Sequence, residues 1–214
     1  MLVGLFIFKT HDDFSYYHFQ YSYYLTKQPA VLGIGNFGLG LRTPSSLFYL
    51  NSLFYLPIIK YYSFQITPVL ILGFSNLLLL IKIKNNIIEK KYNFLTVYNL
   101  LVFIFINIFF YRISEHGTDR SAQILILILF SELLLFLNFK IFKDRIISKI
   151  LLLIGLVISF KAFYILYTIF FFIILIHFVK LKFSLKKIIY NFFSNYYFLG
   201  FIFLLILVLF HNFL

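Results

Sequence analysis

From Phe64 to Ile81 the chain reads FQITPVLILGFSNLLLLI, an unbroken stretch without a single charge. No feature limits the fold more. A helix needs about 20 mostly apolar residues to cross the roughly 30 Å hydrocarbon core of a bilayer. Comparable stretches cover 64–81, 94–111, 121–139, 146–160, 162–179 and 192–213. The chain is 62% hydrophobic and 12% charged over 214 residues, whereas soluble domains carry about 25% charged residues. A membrane barrel is excluded, because these runs are apolar on every side instead of alternating. The expected fold class is all-α: a polytopic helical membrane protein of about six to seven membrane helices, in a single transmembrane domain over 1–214.

The charges orient it. A formal net charge of +12 would suit nucleic acid, but the lysines gather in short patches between apolar runs, so no nucleic-acid partner is expected. KIKNNIIEKKYN (82–93), KIFKDRIISK (140–149) and KLKFSLKK (180–187) read as cytoplasmic loops facing anionic membrane lipids. They fall at alternate connections, as an even number of crossings between them requires. Residues 9–63 and 112–120 then form the extracytoplasmic loops, and 64–214 hold the membrane helices. The near-continuous apolar stretch 146–179 would make a helix roughly 51 Å long, so two helices with a tip at SFKAF are expected. No Gly or Pro marks that turn. MLVGLFIF is too short to span, and the C-terminus runs apolar to Leu214. These ends read as those of a piece of a longer protein. With no cysteine, disulfides and thiolate metal sites are ruled out.

The first outer segment concentrates His11, Asp12, Asp13 and His18 where a helix leaves the bilayer. Two readings of the acidic pair stand. Adjacent carboxylates at a membrane surface can supply a general base or hold a divalent cation, and an Asp equally suits a solvated helix cap. Nothing requires the cation, and no metal ligand is assigned. Downstream, Gly33, Gly35, Gly38 and Gly40 form a loop able to approach another group closely. It matches no phosphate-binding loop. RTPSSLFYLNSLFYL (42–56) reads as an interfacial helix capped by Thr43 or Ser45, with Leu47, Leu50 and Phe54 available to the lipid interface.

The loop RISEHGTDR gathers Arg112, Glu115, His116, Asp119 and Arg120. As a solvated turn it would gain little from its ion pairs, about 0–1 kcal/mol each. Arginine is well shaped for a phosphate. The alternative to the solvated turn is thus a substrate-binding loop for a lipid phosphate, with His116 a hydrogen-bonding group rather than a metal ligand. Arg42 is a further phosphate contact. Lys161 is a cation inside an apolar stretch, which points either to function or to snorkelling toward the interface.

The blocks HDDFSYYHFQYSYYL, GIGNFGLGLRTPSSLFYLNSLFYLP, YRISEHGTDRSAQIL and SFKAFYILY resemble those of a family of bacterial integral-membrane proteins. That family is similar to the GT-C class of glycosyltransferases and is associated with surface polysaccharide. The resemblance covers most of residues 11–170. It implies a multi-pass enzyme of the bacterial inner membrane, with its acidic loops extracytoplasmic. It also implies a polyprenyl-phosphate-linked sugar donor and a glycan or lipid acceptor. The acidic catalytic residue that such enzymes carry after the first helix falls here at Asp12 or Asp13. A transporter or flippase of lipid-linked glycans, with ionisable residues at mid-membrane depth, and a noncatalytic scaffold are the rival expectations.

Overall fold

The structure is a computed structural model describing residues 13–28, 36, 38–42, 45–110, 118–138, 144–184, 186, 190 and 192–213. Among these residues the fold is helical, with an isolated antiparallel bridge between Leu56 and Lys60 and no strand. A π-helical turn, Phe14–His18, leads into α1 (Phe19–Leu25), and α2 (Ser46–Leu53) follows. Then come α3 (Ile66–Ile88), α4 (Phe94–Phe109), α5 (Thr118–Leu137), α6 (Asp144–Phe160), α7 (Ile169–Lys180) and α8 (Tyr196–Phe213). Three helical stretches are long and apolar enough to cross a membrane: Tyr61–Ile88, Thr118–Leu137 and Ala162–Lys180. Phe94–Phe109 and Tyr196–Ile206 are shorter apolar helices. This is a helical protein with the hydrophobic lengths of a membrane protein.

Sequence chemistry sets the helix ends. Asn93 caps α4, its Oδ1 accepting from the Thr96 amide at 3.1 Å, as short polar side chains do at N-caps. Pro68 sits in the first turn of α3, where its missing N–H costs nothing. Two helices stop on a lysine in the left-handed region, Lys90 (φ 53°) after α3 and Lys182 (φ 59°) after α7. In both, the next amide reaches back five residues, Lys91 N to Asn86 O at 2.8 Å and Phe183 N to Phe178 O at 3.1 Å. This is a Schellman closure, and the lysine charge complements the carbonyl end of the helix.

Cross-helix contacts fix the directions. Asn76 meets Asn107 and Asn86 meets Thr96, so α3 and α4 are antiparallel. Ser131 donates to Asn99, which ties α5 to α4. Lys161 pairs with Asp119 and Lys149 lies near Glu132, which reverses α6 against α5. Phe130 contacts Phe170 and Phe136 contacts Phe178, so α7 runs parallel to α5. The expected reversal within 146–179 is present. Lys161 itself makes it, with an extended backbone (φ −151°, ψ 114°) between α6 and the 3-10 turn Ala162–Thr168. One extended residue breaks the helix where no Gly or Pro does. The core lies along α5 and α6, where Leu129, Leu133, Phe136, Ile147, Ile150, Ile154, Ile158, Ile174 and Phe178 pack together. Gly155 lets α8 close on α6, since a Cβ there would lie 2.9 Å from Leu204 Cδ1, the small-residue contact typical of membrane helices.

Two sequence expectations change. Lys82 and Lys84 belong to the last turns of α3 instead of a loop, because the apolar face continues to Ile88 and the Schellman closure comes only at Lys90. The second concerns α2. Ser45 caps it, accepting from Leu47 N at 3.2 Å, but its Leu47–Phe48–Asn51 face is buried in protein. Leu47 packs with Ala122 and Phe160, and only Leu50 and Leu53 face outward. With its nitrogen turned toward them, the Asn51 amide donates to Phe64 O at 3.0 Å and Thr67 Oγ1 at 3.1 Å.

Candidate functional site

Charged residues fall into two layers. Asp119 in the first turn of α5 and Lys161 just past α6 form an ion pair at one end of the bundle. Glu132 and Lys149 lie about 20 Å away along the same two helices, by the 1.5 Å rise per residue. Beyond Arg120 and Gln123 the intervening segments are apolar apart from small polar side chains such as Ser131 and Ser159.

The first layer is joined by the N-terminal segment. Phe48 of α2 is buried and forms the seat: Tyr17, His18 and Tyr21 place their rings 6.2, 5.4 and 5.2 Å from it. Ser46 donates to Ser159 at 2.9 Å, fixing α2 to the end of α6. This holds the π turn at the end of the bundle where Lys161 follows α6. Asp13 stands at the N-cap of that turn, yet its side chain makes no capping hydrogen bond.

Tyr17 is where the two outer segments meet. Burial first, then the negative charges of Asp13 and of Asp119, push its phenol above the ordinary value. Like any tyrosine, it is protonated at neutral pH and its hydroxyl can donate a hydrogen bond. Gly40, in the 3-10 turn Leu39–Arg42, packs against this residue. A Cβ at position 40 would stand 2.6 Å from Tyr17 Cβ and Cγ. Of the two loop glycines among the described residues, Gly38 and Gly40, it is Gly40 whose missing Cβ admits a tyrosine side chain.

Beside the ion pair, Tyr164 lies within hydrogen-bonding reach of Gln123 and in the field of Asp119 and Lys161. Arg120 follows Asp119 on α5 and is partly buried, while Arg42 is exposed at the end of its turn. His18 is buried against Phe48 and Tyr17. Of the residues singled out from sequence, Asp13, Asp119 and Lys161 lie at this end, Asp119 and Lys161 as an ion pair. His11, Asp12, Arg112, Glu115 and His116 lie outside the described residues. Among the described residues no three His, Cys, Asp or Glu side chains gather as a metal site.

Sequence reasoning missed Tyr17, Gln123 and Tyr164. In a chain with 17 tyrosines and 32 phenylalanines, one functional ring does not stand out. It also missed the second layer's connections. Glu132 is 1% exposed, with Lys82 Nζ at 3.0 Å and Lys149 Nζ at 3.8 Å from the same oxygen, Oε1. Lys82 directs its aligned donor to Ser131 Oγ at 2.7 Å, and Ser131 donates to Asn99 Oδ1 at 2.7 Å. The contact with Glu132 is thus coulombic more than hydrogen-bonded, which leaves both carboxylate oxygens without an aligned hydrogen bond. Four helices meet here through Lys82, Asn99, Glu132 and Lys149, each five or six residues from its helix end, about 8 Å deep. Compared with known protein families, curated proteins and solved structures, the chain shows no match.

Proposed function

We propose that this chain is the acceptor-activating end of a GT-C-like membrane glycosyltransferase. It would transfer a sugar from a polyprenyl-phosphate-linked donor to a glycan or lipid acceptor on the extracytoplasmic face of a bacterial inner membrane. One observation carries this reading: α2, which seats Tyr17 through Phe48, is fixed to the end of the bundle that holds the Asp119–Lys161 pair, opposite the lysine-bearing helix ends. Asp13 accepts the proton of the acceptor hydroxyl. The hydroxyl oxygen bonds to the anomeric carbon as the bond from that carbon to the phosphate oxygen breaks, releasing polyprenyl phosphate. Tyr17 donates to the carboxylate and fixes its direction. Arg120 and Lys161 stabilise the leaving phosphate. A phosphate arriving at Lys161 competes with Asp119, so donor binding would loosen the ion pair and leave Asp119 facing Tyr17.

The test is Asp13→Asn, which keeps side-chain shape and cannot take a proton at neutral pH. Glycan transfer in the producing cells falls 10²–10⁴-fold at unchanged membrane abundance. Full transfer by the variant would remove Asp13 from the chemistry.

The Lys82–Glu132 layer favours a second reading, a transporter or flippase of lipid-linked glycans, because ionisable residues buried among membrane helices mark transport pathways. The helices carrying that layer are unbroken from Ile66 to Ile88 and from Thr118 to Leu137, unlike the discontinuous helices of many transporters. In the transporter reading, loss of function tracks Glu132→Gln and spares Asp13→Asn.

A further inference from the structure

The surface of α6 carries a pattern that the catalytic reading does not use. Ile147, Ile150, Leu151, Ile154, Val157 and Ile158 are buried. The exposed positions are Arg145, Lys149 and Leu152, with Leu156 partly so. Their spacing of four, three and four residues makes one stripe along the helix. It begins with two cations one turn apart and continues as leucine. Lys149 is 47% exposed at its side chain, and its carboxylate partner Glu132 already lies closer to Lys82. Two ammonium groups therefore share one carboxylate oxygen, and positive charge is left over at the surface. A cation about 8 Å from a helix end lies where a long side chain rises toward the lipid phosphates.

We propose that this stripe is a binding site for an anionic phospholipid of the leaflet at the lysine end. The phosphate sits between Arg145 and Lys149, and an acyl chain lies along Leu152 and Leu156. Arg145 brings a planar fork suited to phosphate oxygens, and Lys149 a point charge below it. The apolar continuation separates this surface from a patch that would take any soluble anion. Basic clusters between membrane helices commonly hold anionic headgroups in this way.

The experiment titrates the purified full chain in dodecyl maltoside with phosphatidylglycerol or phosphatidylcholine and counts bound lipid by native mass spectrometry. Phosphatidylglycerol is expected to bind in preference to phosphatidylcholine. Arg145→Gln/Lys149→Gln should weaken it roughly thirtyfold, from about 1 kcal/mol per cation. Lys84→Gln/Lys186→Gln, at exposed lysines elsewhere, should leave it unchanged. Equal binding of the two lipids, or an equal loss in both double variants, would overturn the site. Displacement by equimolar glycerol phosphate would overturn the lipid assignment in favour of a soluble phosphate ester.

Discussion

At the scale of single residues, Tyr17 organises the candidate site. Its ring leans on Phe48, its backbone follows Asp13 by one π turn, and its side chain fills the space that Gly40 leaves open. Gly40→Ala puts a methyl group where Tyr17 Cβ and Cγ already stand, and neither is the mobile tip of a side chain. The variant is expected to lose about 1–3 kcal/mol, the usual cost of overpacking, visible as a lower midpoint in thermal unfolding in detergent. It should also lose glycan transfer, because Tyr17 must turn away from Asp13. Unchanged unfolding and transfer would show that the turn 39–42 adapts freely. The glycine-rich loop and the acidic segment are each visible in the sequence, but separately. Their partnership was not legible, because the contact joins Tyr17 to Gly40 through a fold that composition does not encode. Nor could sequence separate the two roles open to Asp13, because an acidic residue at a helix start suits both.

Helices show the same division between what periodicity carries and what packing decides. Each expected apolar run became a helix, since length and uniform hydrophobicity admit nothing else in a membrane. The boundaries moved where capping chemistry was overlooked. A lysine in the left-handed region is a rare helix stop, and with that stop only at Lys90, α3 runs on into a segment that charge alone marks as a loop. Lys82 thereby moves from a loop into contact with Glu132. The two ion-paired layers should differ sharply in energy. Asp119 and Lys161 are both substantially exposed, so Asp119→Asn should cost no more than about 1 kcal/mol. Glu132 is fully buried and Lys82 only partly exposed, so Lys82→Ala, which leaves the buried carboxylate without its nearer cation, should cost about 3–5 kcal/mol. Denaturant unfolding of both variants in the same detergent checks the contrast. Equal losses would mean that water reaches Glu132 as readily as Asp119.

For the whole molecule, the account rests on polarity from end to end. Asp13, Tyr17, Asp119 and Lys161 gather at one end of the bundle. Lys82, Lys90, Lys149 and Lys182 lie toward the other, where α3 and α7 finish and α4 and α6 begin. The lysine pattern in the sequence foresaw this segregation, because charge in loops is local information. It could not foresee that four helices would join polar residues just inside the lysine end. If the lysine end is cytoplasmic, the Asp13 end meets lipid-linked substrates outside. The chain has no cysteine, so single cysteines report on each end without background. Ser15 and Lys90 are both exposed, at opposite ends. In intact cells treated with a membrane-impermeant maleimide, Ser15→Cys is expected to label and Lys90→Cys to label only after lysis. Labelling of Lys90→Cys in intact cells, with Ser15→Cys protected until lysis, would place the Asp13 end in the cytoplasm and contradict the proposed reaction.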